Sequence, residues 1–564
     1  MHAALRFKVV IFKQFFKLTA SRNFCSSRKN KPTNSSPKTL NQLLNQRPQL
    51  SQLKQVHAQV ITQSLSSHSV LIDSLIHCYI SINSLTYART LFDQYPNYPP
   101  PILLWNLVIR SYSKLQNSVE PINLFCQMIA LDDNSLVVPD KFTFTFLITS
   151  CTHQNSDLHG VIMHGMVIKN GYISNLFVGN SVINFYAVFC KLDDACNVFD
   201  EMSERDVFSW TSLLGGHVRQ AEMVRASEIF DMMPIRNMVS WTVVISGFLD
   251  SGMYMDTLVY FHDMLRESHG DLKPNEAVLV CALSACANLG ALDQGKSIHA
   301  YINKNGFTKR SNISTALIDM YAKCGFINYA YQVFCKILKP DVCNYTSMIS
   351  AFSAHGLGND SLRAFHQMLA EKVVPNEVTL IGVLKGCSHS GLVQEGSSIF
   401  YKMKCLWNIE PKVEHYGCLV DLLSRAGYLK TALAIAVKMP LVPDTVIWRT
   451  LLSACTIYKD ASLADKIIAY VRQGYFSHFI GSEVLLSNLY ASLSKWERVD
   501  EVRDQISQNK NNPASNIGCS WIEVNGMVHE FRVDDKLHPQ VDKLNEVLRR
   551  LTLEGSVSLL SSDL

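Results

Sequence analysis

Ser240–Leu265 reads SWTVVISGFLDSGMYMDTLVYFHDML. Trp241, Val244, Ile245 and Phe248 follow at spacings of three and four, which places them on one face of a helix. Asp250-Ser251-Gly252 interrupts the pattern, and Leu258, Phe261 and Leu265 resume it in a second segment. The stretch is a helix–turn–helix hairpin whose apolar face is too large for one hairpin to bury, so it needs neighbours of its own kind. Segments this short are marginal as isolated helices, and stacking has to supply the stability.

The neighbours are in the sequence. ILLWNLVIRSY from Ile102, VFSWTSLLGGH from Val207, MVSWTVVISGF from Met238, VCNYTSMISAF from Val342 and TVIWRTLLSAC from Thr445 all carry an aromatic fourth residue followed by apolar residues at helical spacing. A second series runs KFTFTFLITSC from Lys141, EAVLVCALSAC from Glu276 and EVTLIGVLKGC from Glu377. A third contains LFVGNSVINFYAVFCKLDDACNVFDEM and SNISTALIDMYAKCGFINYAYQVF, and the three kinds recur in order. These anchors divide 34–444 into twelve repeats: 34–68, 69–101, 102–140, 141–175, 176–206, 207–237, 238–275, 276–310, 311–341, 342–376, 377–412 and 413–444. Each is expected to hold two helices around a Gly-, Asn- or Asp-containing turn. The predicted fold class is all-α, a right-handed superhelical solenoid of such hairpins.

The register also absorbs residues that resemble chemistry. Cys151, Cys286, Cys387 and Cys455 each fall eleventh in their segment, and His57, His164 and His299 each fall twenty-fourth. Residues recurring once per repeat are spread along the chain instead of gathered round one metal, so buried packing is expected for the thiols and hydrogen bonds between helices for the imidazoles. The fourth-position Trp and Tyr residues are expected to be core anchors. The sixteen cysteines include no CxxC pair, which argues against a zinc site or a redox motif.

Composition bounds the remainder. With 564 residues, 48% hydrophobic and 18% charged, the chain describes a buried, ordered protein, and no apolar run reaches membrane-spanning length. Net charge is +4, but its distribution is uneven. Residues 1–31 carry eight basic side chains and no acid, and the first acidic residue is Asp73. Removing those eight from 52 leaves 44 basic against 48 acidic groups, so bulk charge does not point to nucleic acid. The acid-free, Arg/Lys-rich segment 1–33 has the make-up of an organellar transit peptide, with Arg22-Asn23-Phe24 before Cys25-Ser26-Ser27 favouring a mitochondrial address over a chloroplast one.

YAKCGFINYAYQVF, NLGALDQGKSIHAYINKNGF, SWTVVISGFLDSGMYMDTLVYFHDML and HYGCLVDLLSRAGYLKTALAIAVKMP resemble plant pentatricopeptide repeats, of the class that alternates regular, long and short repeats. The resemblance covers about residues 34–444. Tetratricopeptide repeats of similar length would show W-x2-L-G-x2-Y, which is missing. The resemblance implies binding to single-stranded RNA, with the fifth and last residues of each repeat choosing one base. Thr or Ser in fifth place goes with purines and Asn with pyrimidines. A last Asp goes with keto-bearing bases and a last Asn with amino-bearing ones. On that basis Asn106/Asp140 and Asn180/Asp206 suggest U, Thr211/Asn237 and Thr242/Asn275 suggest A, Thr315/Asp341 suggests G, and Thr346/Asn376 suggests A. Thr145/Asn175, Val280/Arg310, Ile381/Lys412 and Gly417/Asp444 read poorly. The implied core is 5′-U-x-U-A-A-x-G-A-x-x-3′, parallel to the repeats. A plainer role competes at every position, since Asn, Asp and Thr also start helices and make turns.

Beyond 444 the pattern drifts but stays helical, with hairpins expected at 445–479 and 480–513. GCSWIEVNGMVHEFRVDDKLHPQ, from Gly518 to Gln540, resembles the E-type extension of plant RNA-editing factors, and the tail 514–564 is assigned to it. Alternating apolar residues around Asn525-Gly526 predict a short β-hairpin. The resemblance places partner contacts at Gly518, Trp521 and Glu523. The zinc deaminase domain found in related proteins needs H-x-E and C-x-x-C; His529 is followed directly by Glu530 and no CxxC follows. No catalytic residue, metal or cofactor is therefore assigned to the chain. The expected role is a site-recognition factor for organellar C-to-U editing, which recruits a deaminase-bearing repeat protein and accessory factors in trans. Splicing or transcript protection would use the same RNA clamp, and a protein-binding scaffold is the rival from another class.

Overall fold

The computed structural model describes residues 37–46, 48–96, 99–131, 137–267, 272–307, 310–473, 480–492, 495–508, 519–524 and 527–532, with a few more between 543 and 550. The transit-peptide segment 1–33, Gly518 and the Asn525-Gly526 turn lie outside the described residues. The described chain is all-α except for one two-stranded sheet near its C-terminal end. It divides into two compact bodies, Met1–Gly216 and His217–Leu564.

Within each body the helices alternate as hairpins. In the first body, Ile102–Ser113 is followed by Glu120–Ile129, Lys141–His153 by Asp157–Lys169, and Leu176–Val188 by Leu192–Glu201. In the second, Met238–Asp250 is followed by Tyr254–Glu267, Val342–Ala354 by Gly358–Ala370, and Glu377–Ser390 by Val393–Trp407. The hairpin Thr445–Ile457 with Ala461–Gln473 and the hairpin Ile480–Ser492 with Trp496–Gln508 continue the pattern. The first helix of one hairpin packs on its own second helix and on the first helix of the next hairpin. One layer of first helices and one of second helices result, as expected for a solenoid.

The aromatic fourth residue locks this packing. Trp105, Trp241 and Tyr345 are almost fully buried. Trp105 meets Phe92 edge-on with ring centres 4.7 Å apart, Trp210 meets Phe199 at 4.7 Å, Trp241 meets Phe230 at 4.7 Å and Tyr345 meets Phe334 at 5.1 Å. In each case the Phe comes from the preceding second helix, and such a pair adds about 0.5–1.5 kcal/mol beyond its buried area. Cys151, Cys286, Cys387 and Cys455 are all fully buried. Burial pushes the Cys151 thiol up to about 11 and those of Cys286, Cys387 and Cys455 up to about 12. These are packed, neutral thiols rather than nucleophiles. The recurring histidines bridge hairpins: His57 Nδ1 lies 3.0 Å from the Tyr79 hydroxyl, His164 Nδ1 2.8 Å from Tyr186 and His299 Nδ1 2.8 Å from Tyr321.

The turns inside the hairpins depart from expectation. Each needs a residue in the left-handed region, supplied by Asn83, Asn117, Asn155, Gly252, Gly290, Gly325, Gly356, Gly391 and Gly427. At three turns the residue is Cys190 (φ 60°), Ala221 (φ 58°) or Lys459 (φ 55°), none of them Gly, Asn or Asp. The conformation is adopted there despite its local cost.

The sheet pairs Cys519–Val524 antiparallel with Met527–Arg532, and Val524 faces Met527 across the turn. Ser520 and Trp521 are exposed. Glu523 turns back onto its own chain, where its Oε2 accepts a hydrogen bond from the Asp293 backbone N–H at 3.0 Å. Asp293 lies in the first turn of the helix Leu292–Lys304, so the carboxylate takes an N–H at the positive end of a helix.

Candidate functional site

The last residue of a repeat starts the first helix of the next one. Asp140 is extended (φ −109°, ψ −179°), and its Oδ1 accepts from the Thr143 backbone N–H at 2.9 Å. Thr143 Oγ1 in turn accepts from the Asp140 N–H at 3.1 Å, closing a reciprocal cap. The same pair of bonds joins Asp206 to Ser209, Asn237 to Ser240, Asp341 to Asn344 and Asn376 to Thr379. Asn175 and Asn275 cap without reciprocity, because Val178 and Val278 in third place offer no acceptor. The plainer role is thus real, and each such cap contributes about 1 kcal/mol.

The capping group also meets the fifth residue, through the capping oxygen itself at Asp140 and Asp206 and through the amide nitrogen at Asn275. Asn106 Nδ2 donates to Asp140 Oδ1 at 2.9 Å, and Asn180 Nδ2 donates to Asp206 Oδ1 at 3.1 Å. Asn275 Nδ2 donates to Thr242 Oγ1 at 3.2 Å. The fifth and last residues, 26 to 34 positions apart, therefore meet in these three repeats. In 311–341 and 342–376 the fifth residue meets the following repeat instead: Asn344 Nδ2 donates to Thr315 Oγ1 at 2.8 Å, and Thr346 Oγ1 lies 2.6 Å from Thr379 Oγ1. Thr145 and Thr211 give their protons to the carbonyls of Lys141 (2.7 Å) and Val207 (2.6 Å), one helical turn back.

These contacts alter one expectation. The fifth side chains are not freely solvated: Asn106 is only 6% exposed and the others are half-buried. Thr143 Oγ1 donates to Asn106 Oδ1 at 2.7 Å and Ser209 Oγ donates to Asn180 Oδ1 at 2.6 Å, which fixes which way each amide points. Burial alone would raise the Asp206 carboxyl, but hydrogen bonds from Ser209, Asn180 and the Phe208 backbone outweigh it and hold the group below the usual carboxylate value. It is an ionised acceptor at neutral pH.

Two long repeats close this position off. Arg310, last in 276–310, lies 3.5 Å from Glu276, the first residue of the same repeat, and Lys412 lies 2.5 Å from Glu377 in 377–412. Val280 and Ile381 stand fifth there. An ion pair beside an apolar fifth residue offers a base edge little to discriminate.

A row that the sequence reading overlooked flanks the polar pairs. Second residues of the first helices are apolar yet exposed: Leu103 78%, Phe177 59%, Phe208 70%, Val239 55% and Val378 56%. Second and fifth residues are three apart and share a helix face. The sequence signal was an apolar residue three before the polar fifth one, out of phase with the core stripe of fourth, seventh and eighth residues.

Of the tail residues expected to contact a partner, Trp521 is 36% exposed and Glu523 is engaged with Asp293. His529 and Glu530 lie on the second strand, in register with Ile522 and Trp521.

A family model described as PPR repeat matches residues 104–132, 180–207, 208–238, 239–269, 313–340 and 378–406, and one described as PPR repeat family matches 340–389. Pentatricopeptide repeat-containing protein At3g47530 of Arabidopsis thaliana is 34% identical, covering 91% of this chain and 81% of the relative. Pentatricopeptide repeat-containing protein At2g20540 of the same plant is 38% identical over 88% of this chain and 91% of its own length. Among solved structures, the pentatricopeptide repeat protein PPR10 from maize aligns with a TM-score of 0.56 at 15% identity, over 88% of this chain and 76% of that one. PPR10 has also been solved in complex with an 18-nt psaJ RNA element, at a TM-score of 0.50. At such identity the structural likeness concerns the fold, while the Arabidopsis relatives share sequence nearly end to end: the chain belongs to the pentatricopeptide repeat family.

Proposed function

We propose that this protein binds single-stranded RNA through its repeats, one base to each reading pair, and serves as a site-recognition factor for C-to-U editing in a plant organelle. The observation that carries the RNA reading is the recurrence of a fifth–last polar pair beside an exposed apolar second residue, as at Asn180, Asp206 and Phe177. An unstacked base has a flat apolar face and a polar edge. The apolar second residues suit the face, and the pair suits the edge. A last Asp accepts the ring N–H of U or G through Oδ2, which takes no part in the cap at Asp140 or Asp206 and at Asp341 also accepts from Ser311 Oγ, whereas a last Asn has amide hydrogens to give to the unprotonated ring nitrogen of A or C. Each good contact is worth about 1–3 kcal/mol. The structural neighbour PPR10 holds RNA on the same fold.

The finer assignment rests on the sequence. The alternation of regular, long and short repeats resembles that of the plant class that contains editing factors. The Gly518–Gln540 stretch resembles their E-type extension without the H-x-E and CxxC ligands of a zinc deaminase. The chain would therefore carry no active site and would deliver a deaminase supplied in trans, with Trp521 exposed on the tail for that partner. The organelle is the mitochondrion on the character of residues 1–33; relatives bear both mitochondrial and chloroplastic names.

Sequencing organellar transcripts from a plant lacking the protein tests this directly. Loss of conversion is expected at a cytidine shortly downstream of a 5′-U-x-U-A-A-x-G-A-x-x-3′ match. Normal conversion at every site would exclude the editing role, and a gel shift on the core RNA would show separately whether RNA binding survives that outcome.

A further inference from the structure

Repeats 238–275 and 342–376 carry the same fifth and last residues, Thr242 with Asn275 and Thr346 with Asn376. A two-residue rule gives them the same base, yet their hydrogen bonds differ. In 238–275 the Thr242 hydroxyl donates to the Met238 carbonyl at 2.7 Å and accepts from Asn275 Nδ2 at 3.2 Å. The third residue of the following repeat, Val278, is fully buried and offers no polar side-chain atom. One hydrogen of the Asn275 amide is therefore spent, and the Thr242 oxygen, its proton given to Met238, can only accept.

In 342–376 the third residue of the following repeat is Thr379, also fully buried. Its hydroxyl lies 2.6 Å from Thr346 Oγ1, donates to Asn376 Oδ1 at 2.9 Å and accepts from the Asn376 N–H at 3.3 Å. The Thr346 hydroxyl is drawn to Thr379, and the Asn376 amide nitrogen has no partner among the described residues. Both amide hydrogens of Asn376 remain available. Elsewhere the third residue intervenes again: Thr143 donates to Asn106 at 2.7 Å and Asn344 to Thr315 at 2.8 Å.

We propose that the third residue of the following repeat is a specificity-determining residue, which sets the donors and acceptors that a fifth–last pair presents to its base. Thr379, Val278 and Asn344 do so for the pairs Thr346/Asn376, Thr242/Asn275 and Thr315/Asp341. This rests on the base-reading role given under Proposed function. The third residue touches the pair and not the base, so it acts by positioning.

The test uses the full chain and core RNAs carrying each of the four bases at the fifth or the eighth nucleotide, the positions assigned to repeats 238–275 and 342–376. The proteins are wild type, Thr379→Val, Thr379→Ser, Val278→Thr and Thr346→Asn. Thr379→Val should move the four-base profile at the eighth nucleotide toward that of the fifth, changing the ratio between bases by about fivefold, the effect of one hydrogen bond. Thr379→Ser, which keeps the hydroxyl, should leave the profile in place, and Val278→Thr should shift the fifth-nucleotide profile the opposite way. Equal weakening for all four bases in Thr379→Val would mean that Thr379 only caps a helix, and would overturn the proposal. So would an unchanged profile. If Thr346→Asn alters the profile while the third-residue variants do not, pairwise reading stands and the third residue has no part in it. If none of the four substitutions alters any profile, base reading itself fails.

Discussion

His57 sits 6% exposed between two hairpins, bonded to the Tyr79 hydroxyl, and burial pushes its imidazole down to about 4. The ordinary value is 6.5, so between pH 6.5 and about 4 the unfolded chain binds a proton that the folded chain refuses. Stability contributed by the neutral ring is complete above pH 6.5 and is lost as pH falls through that window. From pH 7.5 to pH 5 the loss should reach about 1–2 kcal/mol for this one group. His57→Gln should be less stable than wild type at pH 7.5 but flatter in that range, as read by urea unfolding at the two pH values. Parallel curves would contradict the assignment. The imidazole's place was legible because it recurs at the twenty-fourth position of three repeats, and the register also singled out the fifth and last residues that meet at Asn106/Asp140, Asn180/Asp206 and Thr242/Asn275. The third residue was not, since it belongs to the next repeat and its hydroxyl passes for an ordinary helix-start residue. The exposed second residue was not legible either, because an apolar side chain in an amphipathic segment is assigned by default to the core.

At the scale of the hairpin, one dihedral angle decides the turn. A residue shortly after the first helix takes positive φ, as Gly252 does at 74° and Ala221 at 58°. A Cβ at Gly252 would meet nothing within 4 Å, so replacing it tests the backbone alone. Gly252→Ala should cost about 1 kcal/mol. Ala221→Gly should gain about 0.5–1 kcal/mol, the relief of left-handed strain less the added freedom of the unfolded chain. Both are read as shifts of the urea midpoint, and a stabilising Gly252→Ala would refute the argument. The turns with Gly or Asn could be read from sequence because those residues tolerate the angle. Cys190, Ala221 and Lys459 could not, since no local preference of these residue types points to the left-handed region. Close helix contacts were equally hidden: a Cβ on Gly160 would stand 2.0 Å from the Phe185 ring of the next hairpin, a demand visible only once the helices are packed.

Across the whole chain the balance of charge constrains how RNA can be held. The repeats and tail carry 44 basic against 48 acidic side chains once the first 31 residues are set aside. The two Arg or Lys residues that stand in last position, Arg310 and Lys412, are already paired with Glu276 and Glu377. Affinity must then come from base faces on residues such as Phe177 and Phe208 and from base edges on the polar pairs, with few phosphates neutralised. Counterion release is correspondingly small, since the slope of log affinity against log salt is about −0.7 for each phosphate contact on a single strand. The expected slope is shallower than about −3, so raising salt from about 50 to about 200 mM should weaken binding by less than about 60-fold. Fluorescence anisotropy on the core RNA measures it. Glu276→Gln and Glu377→Gln together should free Arg310 and Lys412 and steepen the slope by about one unit, without sharpening discrimination at the nucleotides of those two repeats. A wild-type slope steeper than about −5 would mean that backbone charge holds the RNA, and base contacts would then be a minor part of the affinity.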